Sequence, residues 1–466
     1  MSDQTQAFVN QTWGESILPA LSDFIRIPAL SPAFDSNWKA NGHLDQAAKL
    51  MYDWSVSLGI DGLSAEILEL PGRTPLLYIE IPGDTPDTVL LYGHFDKQPE
   101  AHGWWDGFGP WTPKVHEGRL YGRGSVDDGY ALFSELTAIE AVRRRGGKLA
   151  RCVVIIEGCE ESGSFDLPFY IDHLASRIGT PSLIVCLDSG CGNYEQLWCT
   201  TSLRGNIVGN LTVEILKDGV HSGDASGVVP SSFRILRQLL SRVEDETTGR
   251  ILVDELTADI SDDRMEQAKT VARILGDELR TKFPFVDGAS PTSTDPLEMV
   301  LNRTFRPTMS VTGADGLPPT AGAGNVLRPS TTVKLSFRTA PGANTQSAAA
   351  KLKEVLEADP PYGAHVRYTP NAGYGFDAPP LAPWLGDALQ RGSQAYFGRD
   401  VVFMGEGASI PLMGMLGQRY PDAQFLVTGA LGPHANAHGP NEFLHLDAVK
   451  KITACVAEVL AAHGSK

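Results

Sequence analysis

Three apolar runs end in clusters of ionisable residues, and this arrangement constrains the fold more than any other feature of the 466-residue chain. TVLLYG leads into His94-Phe95-Asp96, RCVVIIEG into Cys159-Glu160-Glu161-Ser162-Gly163, and PSLIVCL into Asp188-Ser189-Gly190. The runs at 88–93, 151–157 and 182–187 are continuous rather than alternating, the pattern of strands buried on both faces. Helical patterns at 9–26, 44–58 and 128–145 accompany them, so the spacing predicts an α/β sheet with covering helices. In open sheets of this kind ligands bind beyond the carboxyl ends of the strands. Three strands would therefore deliver His, Asp and Glu to one crevice.

The same style resumes near residue 379, with a helix at 384–397, a strand at 424–428 and a closing helix at 446–462. Between the two parts the order changes to strand 205–216, helix 230–243, strands 308–312 and 331–339, helix 345–356 and strand 365–369. This βαββαβ order is ferredoxin-like, with an insertion at 244–307 after its first helix. The length, roughly three times the usual ~150-residue domain, accommodates two domains. The expected division is a discontinuous catalytic domain, 1–200 and 377–466, carrying an inserted domain at 201–376.

Charge enters as an exclusion. Against 39 Lys+Arg stand 56 Asp+Glu, a formal net charge of −17, which disfavours nucleic-acid or anionic-membrane binding. The one basic cluster, Arg143-Arg144-Arg145 with Lys148, sits at the end of a helical pattern, where cations complement the helix dipole. The N-terminal segment lacks the basic and apolar regions of a signal peptide, and the six cysteines form no CxxC pair. A soluble cytoplasmic protein with reduced thiols is expected.

Two further clusters complete the ionisable set: Gly122-Arg123-Gly124-Ser125-Val126-Asp127-Asp128-Gly129, opening a helix, and Ala437-His438-Gly439-Pro440-Asn441-Glu442, before the last helix. Each has an ordinary reading in isolation. A lone strand-end histidine is more often on the surface, Asp127 has the position of a helix N-cap, Asp188 that of a turn residue, and adjacent Glu160 and Glu161 point in opposite directions on an extended chain. Together they are harder to dismiss, because several carboxylates buried at one sheet edge are strongly unfavourable without compensating cations. With few Lys or Arg nearby in sequence, metal ions are the economical compensation.

In order along the chain, GHFDKQP, GRGSVDDG, EGCEESGS, the aspartate of CLDSG, HSGDASG and AHGPNE resemble a dinuclear zinc amidohydrolase and metallopeptidase family. That family contains carnosinase and other cytosolic dipeptidases, acetylornithine deacetylase, succinyl-diaminopimelate desuccinylase, aminoacylase and glutamate carboxypeptidase. The likeness runs from about residue 20 to 459 and is nearest to the carnosinase-like dipeptidase branch. It implies a zinc-peptidase-like catalytic domain, with a mostly parallel mixed sheet between helices, and an inserted ferredoxin-like α+β lid through which the chain dimerises. It implies two divalent ions, zinc foremost, with manganese or cobalt using similar ligands. His94 and Asp188 would bind one ion, Glu161 and His438 the other, and Asp127 both.

Asp96 would then orient His94, and Glu160 would be the general base acting on a water that bridges the metals. By the same resemblance His221 donates to the oxyanion, from the partner subunit in dimeric members. Arg338 binds the substrate's carboxylate, Asn325 is a substrate or oxyanion contact, and Gly407 to Ser409 form a carboxylate-receiving loop. His434 is the competing ligand to His438, which is preferred because Gly-Pro-Asn-Glu follows it. One departure stands out: the family commonly carries Lys-Gly after the bridging aspartate, whereas Asp128-Gly129-Tyr130 follow here. The implied activity is hydrolysis of an amide bond in a small carboxylate-bearing substrate, a dipeptide first. The alternatives are an N-acyl-amino-acid amidohydrolase and, remotely, a non-catalytic binding protein on the same fold.

Overall fold

The structure, a computed structural model, describes residues 2–466. Its largest sheet has six strands in the order Ser64–Leu68, Leu76–Ile81, Ala150–Glu157, Thr85–His94, Leu183–Cys186 and Gln424–Val427. The first two pairings are antiparallel and the next three parallel. Alternate residues of the apolar runs divide between two cores. Val89, Leu91, Val154 and Val185 face one hydrophobic cluster, which includes the helices Ala131–Arg144 and Leu446–His463. Leu90, Tyr92, Val153 and Ile184 face another, closed by Leu167–His173 and Pro411–Arg419. Burial on both faces is why the runs read as continuous rather than alternating.

The second sheet is wholly antiparallel, in the order Thr308–Asp315, Ser330–Thr339, Gly205–Glu214 and His365–Gly373. Strand order second-third-first-fourth is the ferredoxin-like arrangement expected from the βαββαβ pattern. The helices Ser232–Leu240 and Thr345–Glu357 bury Ile235, Leu239, Leu352 and Leu356 against Ile207, Leu211, Leu335 and Phe337. A short three-stranded sheet of Phe376–Asp377, Trp198–Leu203 and Val402–Glu406 carries the chain between the two larger ones.

The helices of the insertion, Asp262–Leu275 and Pro296–Thr304, pack away from the four-stranded sheet. Val271, Val300 and Leu301 join a core with Trp198, Val402 and Met404, which sets the insertion beside the strand leading to Gly407. Local departures from the sequence reading are small. The first helical stretch begins at Ser2 and passes through a π-helical turn, Trp13–Ile17. The helix expected from residue 128 begins at Ala131 because Asp127 and Asp128 belong to the preceding turn. No helix among the described residues is long and apolar enough to cross a membrane.

Leu91 is fully buried on the strand that ends at His94. Its replacement by alanine is expected to lower the unfolding free energy by about 2–5 kcal/mol in urea titrations.

Candidate metal centre

The three adjacent parallel strands end level with one another: His94 pairs with Glu157, and Tyr92 with Cys186. His94 is the last residue of its strand, Glu160 and Glu161 open a 3-10 turn after the next, and Asp188 follows the third. Asp127 comes from the glycine-rich turn and His438 from the loop after Gln424–Val427. The turn does not use Asp127 as a helix cap; the cap position of Ala131–Arg144 is Tyr130, without a side-chain bond.

The donor atoms converge in two groups that share Asp127, namely His94, Asp127 and Asp188, and Asp127, Glu161 and His438. His94 Nε2 stands 3.2 Å from Asp127 Oδ1 and 3.8 Å from Asp188 Oδ2. His438 Nε2 stands 3.0 Å from Asp127 Oδ2 and 3.2 Å from Glu161 Oε2. His94 is fully buried, yet its Nε2 has no hydrogen-bond partner. A buried imidazole nitrogen facing two carboxylates, with a second imidazole on the far side of the shared one, is the nitrogen and oxygen donor set that zinc-like divalent ions take. The residues present therefore fit a pair of metal ions.

Electrostatics point the same way. Burial and the Asp127 and Asp128 charges push the Asp188 carboxyl well above the usual carboxylate range. Burial and Asp127 raise Glu161, and burial with the charges of Glu161 and Asp127 raises Glu160 further. Burial also acts to raise Asp127, but the two imidazoles beside it hold it low. His438, between Asp127 and Glu161, is raised to about 10. The pocket attracts positive charge from whatever source supplies it.

Asp96 has two jobs. Its backbone carbonyl lies 3.1 Å from His94 Nδ1, with the carboxylate at 3.5 Å. The carboxylate itself accepts from the Glu160 and Glu161 backbone N–H groups, both at 3.0 Å. The sequence reading expected the carboxylate to take the ring N–H. In the structure the carbonyl makes that contact, and the side chain instead fixes the turn that presents both glutamates.

Four residues that sequence reasoning did not single out brace the centre. Gln98 Nε2 donates to Glu161 Oε2 at 2.7 Å. Arg123 and Glu442, 1% and 0% exposed, form an ion pair of 2.6 Å, and Arg123 Nη2 also donates to the Gly439 carbonyl at 3.0 Å. This clamp ties the Asp127 turn to the His438 loop, where His434, Asn436, His438 and Asn441 all have positive φ. Glu406 Oε1 accepts from the Gly190 N–H at 2.8 Å and lies 3.1 Å from the Ser189 and Thr200 hydroxyls, steadying the turn after Asp188. Gln98, Arg123 and Glu442 lie within the motifs already quoted, so their proximity to the ligand candidates was the available signal.

Packing fixes the glycine in the segment after Asp127. A Cβ on Gly129 would lie 2.3 Å from both the Gly124 carbonyl oxygen and a Phe24 ring carbon, so the turn after Asp128 admits only glycine there. Tyr130 is buried, donates its hydroxyl to the Leu187 carbonyl and accepts from the Ala430 N–H, linking two strand ends of the centre.

The remaining candidates fall into two places. Arg338 Nη1 donates to Ser409 Oγ at 3.0 Å, and the Gly407 carbonyl accepts from Arg204 Nε at 3.2 Å. His221 is exposed on a two-stranded ribbon, paired with Val326, and the Asn325 carbonyl accepts from the Ser222 N–H. Among the described residues no hydrogen bond or ion pair joins His221 or Asn325 to the carboxylate cluster. His434 likewise makes no ion pair there, whereas His438 does.

Arg123→Met would leave Glu442 buried and unpaired, and is expected to destabilise the protein by about 3–5 kcal/mol in chemical denaturation. Adding Glu442→Leu is expected to recover most of that loss.

Residues 90–462 match peptidase family M20/M25/M40. A cysteinylglycine-S-conjugate dipeptidase of Corynebacterium striatum is 28% identical over 396 residues, 82% of each chain. The human beta-Ala-His dipeptidase is 26% identical over 433 residues, 88% of this chain and 82% of its own. Among solved structures, the di-peptidase Dug1p from Saccharomyces cerevisiae superposes with a TM-score of 0.79 at 22% identity, covering 100% of this chain and 99% of its own. The chain belongs to peptidase family M20/M25/M40 and is a metal-dependent hydrolase.

Proposed function

We propose that the protein is a dipeptidase, hydrolysing the peptide bond of small substrates with a free carboxylate. The observation that carries this reading is the pair of donor groups sharing Asp127. In the proposal His94, Asp127 and Asp188 hold one divalent ion and Asp127, Glu161 and His438 another, zinc in the first place. Bound there, the ions would supply Lewis acidity for the scissile carbonyl and for the attacking water. The two relatives are named for a cysteinylglycine conjugate and for beta-Ala-His, both dipeptides, and no observation favours deacylation over dipeptide hydrolysis.

Glu160 is assigned the general base: its carboxylate takes the proton of the attacking water and returns it to the leaving nitrogen. Asp96 is assigned the anchor that aims Glu160, through the backbone bond described above. Arg338, with Ser409 and the backbone at Gly407, is assigned the substrate's terminal carboxylate, a match for a planar guanidinium donor. Residues 1–200 and 377–466 would form the catalytic unit and 201–376 the lid. His221 lies on an exposed ribbon beside Asn325, and among the described residues neither makes a hydrogen bond or ion pair to the carboxylates, which supports their acting on the partner subunit's substrate in a homodimer. Six free thiols suit a reducing cytoplasmic setting.

Glu160→Gln is expected to reduce kcat by about 10²–10⁴-fold with metal content unchanged; near-normal turnover would remove Glu160 from its role. Free dipeptides should be cleaved and their N-acetylated counterparts spared, as product analysis would show. Mixing His221→Ala with Glu160→Gln protomers should restore activity toward one quarter to one half of wild type if heterodimers form and His221 acts across the interface, on the order expected for one intact composite site per mixed dimer.

A further inference from the structure

The loop Gly407 to Ser409 is surrounded by more positive charge than one carboxylate can offset. Arg338 donates to Ser409 Oγ, and Ser409 donates in turn to the Arg204 carbonyl. Arg204 is buried and spends its guanidinium on the carbonyls of Gly407, Asn302 and Arg306 and on the Thr308 hydroxyl. Arg303 presses on the same loop: a Cβ on Gly407 would lie 2.7 Å from the Arg303 carbonyl oxygen, 3.1 Å from Arg204 Nη2 and 3.5 Å from Arg303 Cγ. Among the described residues Arg303 has no ion-pair partner, whereas neighbouring Arg306 is paired with Glu298 at 2.5 Å. Lys282 follows a short helix whose Leu279 shares a core with Leu301. Desolvation and the Arg303 charge hold Lys282 down to about 8, and burial with the charges of Arg338 and Arg303 holds Arg204 down to about 10. Of the carboxylates in this region, Glu298 is paired with Arg306, and Glu406 is engaged through Oε1 by Ser189, Gly190 and Thr200.

We propose that Arg303, with Lys282 beside it, selects dipeptides whose carboxyl-terminal residue bears a second anion on its side chain. This rests on the dipeptidase reading and narrows its substrate class. The terminal carboxylate takes Arg338, which Ser409 holds in place, and the side-chain carboxylate takes Arg303, which has no ion-pair partner among the described residues. The insertion at 244–307 thereby contributes to specificity, because it supplies Arg303, which borders Gly407, and Lys282 near Arg303, next to the Glu406 that fixes Ser189 and Gly190.

The test compares Ala-Glu with Ala-Gln, near-isosteric substrates differing by one charge, on the zinc-loaded protein. Wild type should favour Ala-Glu in kcat/KM by about tenfold or more, the scale of one charge-assisted contact. Arg303→Met should bring the ratio close to one, and Lys282→Gln should lower it in part. In wild type alone the preference should shrink as salt cuts the screening length from ~10 Å at 0.1 M to ~3 Å at 1 M, a readout that does not depend on any variant folding. Equal rates on the two substrates, or a wild-type ratio in Arg303→Met, would overturn the proposal and leave the dipeptidase reading standing. Cleavage of neither, with other dipeptides also untouched, would overturn both.

Discussion

The centre is organised by the cost of burying like charges together. Asp96, Asp127, Asp128, Asp188 and Glu135 are all at most 8% exposed, and the carboxylate oxygens of Asp128 and Glu135 have no hydrogen-bond partner. Glu160 and Glu161 add two more carboxyls on the turn that Asp96 anchors. Desolvation disfavours the charged forms of Asp128, Glu135, Asp188, Glu160 and Glu161, and repulsion from neighbouring carboxylates compounds it. The buried cations of the region are committed elsewhere. Lys97 Nζ donates to the carbonyls of Phe24 and Ile27 at 2.7 and 2.8 Å, and Arg123 is taken by Glu442. The two imidazoles are the remaining protein groups between the carboxylates, and the Nε2 atom of each faces them. A pair of divalent cations would offset the charges of Asp127, Asp188 and Glu161, the carboxylates of the two donor groups.

The scaffold keeps that arrangement rigid. Parallel strands in register bring three loops to one level, and each loop is then fixed by a group from another segment. Asp96 holds the Glu160 turn, Glu406 the Asp188 turn, and the Arg123–Glu442 pair joins the Asp127 turn to the His438 loop. Strained positive-φ residues around His438 persist because these partners over-determine the loop. Precise placement therefore comes from side-chain-to-backbone bonds between distant segments, layered on a sheet whose own register is already set by burial on both faces.

Much of this was legible in the sequence, for identifiable reasons. Continuous apolar runs announced two-sided burial, and their endings announced the sheet edge where His94, Glu160, Glu161 and Asp188 sit. The ferredoxin-like order was readable because strand Gly205–Glu214 alternates and its helices are amphipathic. Less accessible were interactions with no local signature. Arg123 and Glu442 are 319 residues apart, and nothing in either segment alone indicates that one neutralises the other. The helices of the insertion pack on Trp198 and Met404, an arrangement that depends on surfaces formed by remote strands. Gly129 has no local signature of its role; the close approach of Phe24 and Gly124 that requires a glycine appears only in three dimensions.

The most direct measurement is the metal content of the purified protein by elemental analysis after saturation with zinc and removal of free ion, for wild type and for Asp127→Ala. Asp127 is the one residue common to both donor groups, so wild type should hold two ions per chain and the variant should lose both, or bind the second only weakly. A wild-type content of none or one, or an Asp127→Ala protein that keeps two tightly bound ions while remaining folded, would contradict a shared-carboxylate centre.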